Sequence, residues 1–243
     1  MTQELLLLAT SAGTIAFVHT LLGPDHYLPF VAMARARAWS TLKTLRITLL
    51  CGVGHIVGSV LLGTIGLIAS VELASLEWIE SIRGDLAAWC LVAVGLVYLA
   101  WGVRRAYRNK PHSHWHSHDG QLHCHIHTHH HDHSHAHTEV DQMDTEFKKP
   151  SIAPWALFVV FVLGPCEPLI PLLMFPAATN SVAGVFLVTG VFSLVTVLTM
   201  LTAVLFSLWG LSFVKLPSLE RYSHAIAGST ILMCGFSIAV LGL

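Results

Sequence analysis

Apolar residues run along this chain in blocks too long for the core of a soluble domain. The first covers residues 4 to 36 and is interrupted at Gly23-Pro24; others cover about 47 to 69, 86 to 103, 152 to 177, 182 to 213 and 224 to 243. A bilayer core about 30 Å thick takes roughly 20 residues of helix, so the pattern predicts six membrane spans. Polar stretches separate them. Arg35, Arg37, Lys43 and Arg46 follow the first block, and Glu72, Glu77, Glu80, Arg83 and Asp85 mark a loop after the second. Lys215, Pro217, Glu220 and Arg221 precede the last. The second span is rich in small residues (Gly52, Gly54, Gly58, Gly63, Gly66), which permits close helix packing. On the fifth, Thr189, Ser193, Thr196 and Met200 recur on one helical face.

Composition agrees with the pattern. With 54% hydrophobic and 11% charged residues the chain is no soluble domain, and its partner is the lipid bilayer. A net charge of −1 gives no sign of nucleic acid. The five cysteines form no close pair, so a disulfide scaffold is not expected. The N-terminal run lacks a basic flank and leads straight into the first break, so no cleavable signal is expected.

Two stretches echo each other: Leu22-Gly23-Pro24-Asp25-His26 and Leu163-Gly164-Pro165-Cys166-Glu167. Aligning them also brings the third block onto the sixth, Gly95 onto Gly235 and Gly102 onto Gly242. Each half holds three spans, an odd number, so the halves enter the membrane in opposite senses. The expected fold is an all-α polytopic membrane protein, six transmembrane helices arranged as two inverted three-helix repeats with broken first helices. Residues 1–103 are the first repeat and 152–243 the second. In such plans the binding site lies at the midplane, where discontinuous helices meet.

Residues 104–151 differ in kind. Thirteen histidines (His112, His114, His116, His118, His123, His125, His127, His129, His130, His131, His133, His135 and His137) alternate largely with small or polar residues. Apolar content is too low for independent folding, so the segment reads as a disordered, metal-collecting loop. Twelve of the 13 Lys and Arg fall on the side of this loop. The positive-inside rule then makes the His-rich loop cytoplasmic and puts both termini outside the cytoplasmic (inner) membrane.

Ionisable groups at membrane depth are costly and mark pathways. Asp25 and Glu167 are carboxylates deep within the predicted spans, and His19, His26, His55 and Cys166 accompany them. Imidazole, carboxylate and thiolate together suit a borderline divalent metal. His19 and His26 stand two turns apart on an unbroken helix, and the break at Gly23 and Pro24 would fold them together. Gly164, Pro165 and Pro168 make the matching break in the second half.

The stretch from His19 to Asp25-His26 resembles the His-rich signature of the nickel/cobalt transporter families, with five residues rather than four between His19 and Asp25. Six spans and a central His-rich loop are similar to the efflux branch and to urease-accessory-type membrane domains. The resemblance implies a transporter, not an enzyme, that carries a divalent metal: nickel or cobalt first, zinc or iron next. No prosthetic group is expected, and protons are the expected counter-ion. A loop that gathers metal in the cytoplasm favours export over import. The second motif, GPCEPLIPLL, also resembles the membrane domain of disulfide-reductase and cytochrome-c-biogenesis proteins, which implies thiol–disulfide electron transfer. That cycle needs two cysteines, and the position matching Cys166 is Asp25. A third reading, export of a small sulfur-containing or organic anion, calls for a fixed positive charge at the midplane, where the sequence suggests none.

Overall fold

The computed structural model describes residues 3–69, 71–108, 112–118, 121–127, 152–166, 168–178, 181–213 and 220–241. Helix α1 (Gln3–Leu22) ends at a 3₁₀ turn (Pro24–His26), and α2 (Leu28–Ala36) continues from it. Pro24 supplies the turn's first position, where a missing N–H is harmless. Helix α3 (Thr41–Ile68) is capped by Ser40, whose hydroxyl accepts from the Lys43 N–H. Helix α4 runs from Leu73 to Tyr107. In the second half α5 (Ile152–Leu163) and α6 (Leu169–Ala178) flank the second break, α7 spans Val182–Ser212 and α8 spans Ser223–Leu241.

Among the described residues, α1, α3, α4, α7 and α8 are long and apolar enough to cross a membrane, and α5 is a shorter apolar helix. Leu50, Ile65, Trp89, Val97, Phe186 and Phe206 lie exposed on these helices, as a lipid-facing surface requires. The molecule is a helical, multi-pass membrane protein.

Two expectations need correction. Residues 73 to 85 are not a loop; they are the first turns of α4. Leu76, Glu80, Gly84, Ala87, Ala88 and Leu91 form one buried stripe at helical spacing, and no proline interrupts it. Glu80 is thus a fully buried carboxylate within a helix long and apolar enough to cross a membrane. At the other end α4 continues to Tyr107, past the expected start of the His-rich loop. Inside that loop the backbone of His112–His118 pairs antiparallel with Gln121–His127, His114 opposite His125. The histidines from His129 onward lie outside the described residues.

Packing crosses between the halves. Helix α1 lies along α7, α3 against α5, α6 and α7, and α4 along α8, while α2 also touches α8. The α4–α8 contact is a glycine seam. Gly95 lies against the backbone of Leu232 and Gly102 against Ala225; in return Gly228 meets Leu99 and Gly235 meets Val92. Partner numbers fall on one helix as they rise on the other, so the helices run antiparallel. Small residues let the backbones touch where no side chain fits.

Candidate metal centre

Three elements converge on one buried point. Helix α1 brings His19 in its last turn, the 3₁₀ turn brings Asp25 and His26, and α3 brings His55. His55 is the fifteenth of 28 residues in α3, so the point lies at that helix's mid-height. The break performs the expected folding together: the His19 and His26 rings stand 5.0 Å apart and edge-to-face, and His26 and His55 stand 5.3 Å apart. One ring nitrogen from each of the three histidines lies within 4.8 Å of the others. Around a tetrahedral ion, nitrogens bound at about 2.0–2.1 Å are some 3.4 Å apart. The set would contract by up to about 1.4 Å to hold one ion.

Backbone carbonyls fix the direction of two rings. His26 Nδ1 lies 3.1 Å from the Gly23 carbonyl, and His55 Nδ1 lies 3.2 Å from the Phe161 carbonyl. A carbonyl only accepts, so each neutral ring carries its proton on Nδ1 and offers a lone pair at Nε2. This is the usual outer-shell arrangement of a metal-ligating histidine. Nε2 of His19, His26 and His55 are all buried with no hydrogen-bond partner. Asp25 Oδ1 stands 3.2 Å from His26 Nδ1, yet it too makes no hydrogen bond. Buried polar atoms are seldom left this way. Gly23 is required here, because a Cβ would come within 2.5 Å of His26 Nδ1 and 2.9 Å of Asp25 Oδ1.

The second break reaches the centre from the opposite half. Pro165 and Pro168 have no N–H to offer the carbonyls of Phe161 and Gly164 four residues earlier. The Phe161 carbonyl accepts instead from His55 Nδ1 and from the Gly164 N–H at 3.1 Å, and Arg83 donates to the Gly164 carbonyl at 3.2 Å. The Val162 carbonyl, which an unbroken helix would join to the Cys166 N–H, also accepts from Arg83 at 3.2 Å. The Cys166 N–H goes to Glu80 Oε1 at 3.1 Å. Glu80 further accepts from the Ser59 hydroxyl at 2.6 Å and is ion-paired with Arg83. Side chains from α3 and α4 thus satisfy a backbone that lipid cannot.

Of the expected ligands, His19, Asp25, His26 and His55 come together. The cluster of donor atoms found among the described residues consists of the three histidines, and Cys166 is not in it. The Cys166 thiol packs in an apolar cluster with Ala12, Ala16, Leu169 and Phe192, because the break that frees its N–H turns the residue between α1 and α7. Glu167 lies outside the described residues. Thr196 and Met200, expected on one face of α7, are both buried; Thr196 Oγ1 has no hydrogen-bond partner, and Met200 Sδ lies 3.1 Å from where a Gly52 Cβ would be. Ser59, Glu80 and Arg83 were missed by the sequence reading. Their signal was the stripe from Leu76 to Leu91, on which Glu80 falls at the place of a buried apolar residue. His224 sits at the start of α8 and bonds Tyr98 Oη at 2.8 Å, away from the cluster.

Searches against family models, curated proteins and solved structures found no match to this chain.

Proposed function

We propose that this protein is a secondary transporter of divalent transition metal ions, with nickel or cobalt as the first substrates and zinc or iron next. The convergence of three buried, partnerless Nε2 atoms carries the reading. Lone pairs cannot satisfy one another, so the centre calls for a Lewis acid or a proton. Nitrogen donors beside one carboxylate suit borderline divalent ions and disfavour magnesium or calcium, which take oxygen. Asp25 supplies a negative charge against the ion's two positive ones. Ligands must shed protons to bind metal, which makes protons the natural counter-ion.

Two inverted repeats of three spans, with α5 and α6 together forming the fourth crossing, fit the packing. The broken helix of each half lies against the second helix of the other, α1 on α7 and α5 with α6 on α3. The seam is reciprocal: Gly95 on Leu232 and Val92 on Gly235 are one contact written twice at an offset of 235 − 95 = 140. Such a plan is common to alternating-access carriers. Lys and Arg gather on the side of the His-rich loop. By the positive-inside rule this supports a cytoplasmic loop with both termini outside, and a cytoplasmic collector of metal favours export.

The rival readings have less support. The apolar cluster around Cys166 contains no second cysteine, and Cys51, Cys90 and Cys234 belong to another. An anion carrier would need a cation at the site, and the Arg83 charge is matched by Glu80. The test is flux of radioactive nickel, cobalt and zinc in proteoliposomes of known orientation. The expected result is flux above empty liposomes, lost in Asp25→Ala and retuned when residues 112–137 are deleted. No flux of any metal under either proton gradient would sink the reading.

A further inference from the structure

The ion pair at the second break has a role beyond satisfying carbonyls. Glu80 and Arg83 together stand in for one helical hydrogen bond: the Val162 carbonyl faces the guanidinium, and the Cys166 N–H faces the carboxylate. Unlike the Phe161 and Gly164 carbonyls, whose natural donors are prolines, Val162 and Cys166 retain groups able to bond each other. Val162 and Cys166 therefore have two ways to be satisfied, with the pair inserted or with the pair withdrawn, whereas the Gly164 carbonyl has only Arg83 and favours the inserted state.

We propose that Glu80 and Arg83 are a latch on this break, positioning residues that hold the Phe161 carbonyl under His55 and close the three-histidine centre on the side of the α3–α4 connection. The location follows from α3. Ser59, which donates to Glu80, is one turn beyond His55 toward the end of α3 that adjoins α4. Gly58 lies against the same group: a Cβ there would stand 2.9 Å from the Val162 carbonyl and 3.1 Å from an Arg83 nitrogen. One ion pair thus ties α3, α4 and α5 at a single level. Its two members are unequally held, since the Glu80 side chain is 1% exposed and that of Arg83 18%. Arg83 is the member placed to leave. When it does, Glu80 loses its counter-charge and its hold on the Cys166 N–H loosens, the Val162 carbonyl and Cys166 N–H close on each other in exchange for the Arg83 bond to Gly164, and the wall beside Cys166 opens. The latch presupposes a pathway past the histidines, as proposed above, but not the ion that uses it.

Cys166 reports on the latch, because it is fully buried and its own N–H is one of the latched groups. The experiment exposes membrane vesicles of wild type, Arg83→Gln and Arg83→Lys to a membrane-impermeant maleimide from the α3–α4 side, and mass spectrometry reads each cysteine. Gln removes the charge; Lys keeps it but lacks the fork that meets Glu80 with one nitrogen and both carbonyls with the other. Both variants are expected to raise Cys166 modification at least about tenfold through local opening, while Cys51 and Cys234, buried in the other cluster, stay protected. Wild-type protection of Cys166 in both variants would overturn the proposal. So would simultaneous exposure of all three cysteines, which would make the pair a general brace. If Arg83→Gln does not accumulate in the membrane, Arg83→Lys decides by the same criterion. No metal enters the measurement, so failure of the metal-transport reading and failure of the latch are separate results.

Discussion

A buried imidazole with both nitrogens engaged is a packing group; one with an unanswered Nε2 is held ready for something. At His19 that atom is buried without a partner, and such an atom costs about 1–3 kcal/mol while it stays unmet. Removing it should therefore not weaken the metal-free protein. His19→Leu is expected to unfold at the wild-type temperature or above it without metal, yet to lack the stabilisation by nickel expected of the wild type, about 2.7 kcal/mol at a hundredfold excess over Kd. Thermal unfolding in detergent, with and without nickel, checks both halves. Asp25, His26, His19 and His55 were legible in the sequence because an ionisable residue in an apolar run has few innocent explanations. Glu80 and Arg83 were not, since Glu72, Glu77 and Asp85 around them read as a solvated loop and hid the one acidic residue on the buried stripe. Cys166 misled in the opposite way. Its motif position matched Asp25, but a chain freed by two prolines need not point the matching side chain the same way.

At the scale of elements, glycine does two jobs that a small-residue count does not separate. Gly190 and Gly210 on α7 have nothing within 4 Å of a built Cβ, whereas Gly235 would put its Cβ 2.7 Å from the Val92 nitrogen. Gly190→Ala should leave stability unchanged or raise it by up to about 1 kcal/mol, through helix propensity. Gly235→Leu should force α4 and α8 apart and lower stability by about 1–3 kcal/mol or more, as overpacking does. Unfolding in mixed micelles with rising dodecyl sulfate compares the two. The broken helices were foreseen from Gly-Pro pairs, but the length of α4 was not. Hydropathy marks where lipid begins; α4 continues beyond it because the stripe from Leu76 to Gly84 has protein to pack against.

For the whole molecule, the antiparallel seam puts the C-terminal end of α4 and the N-terminal end of α8 at one face, Gly102 beside Ala225. Single cysteines at Arg46, Arg108 and Arg221 are expected to react with an impermeant reagent from that face only, and one at Glu72 from the opposite face only. Labelling of sealed vesicles in both orientations checks this, and mixed labelling within the first group would contradict it. The same seam restricts motion. Each glycine is a socket for a stretch of opposing backbone, and sockets alternate between the helices at 92/235, 95/232, 99/228 and 102/225. Sliding either helix along its axis would carry Val92, Leu99 or their counterparts out of register and drive side chains into backbone. A small tilt about the contact keeps the same residues paired. For the carrier proposed above, the seam speaks against an elevator stroke, with one half gliding past the other, and for a rocking stroke, like two jaws sharing one pin.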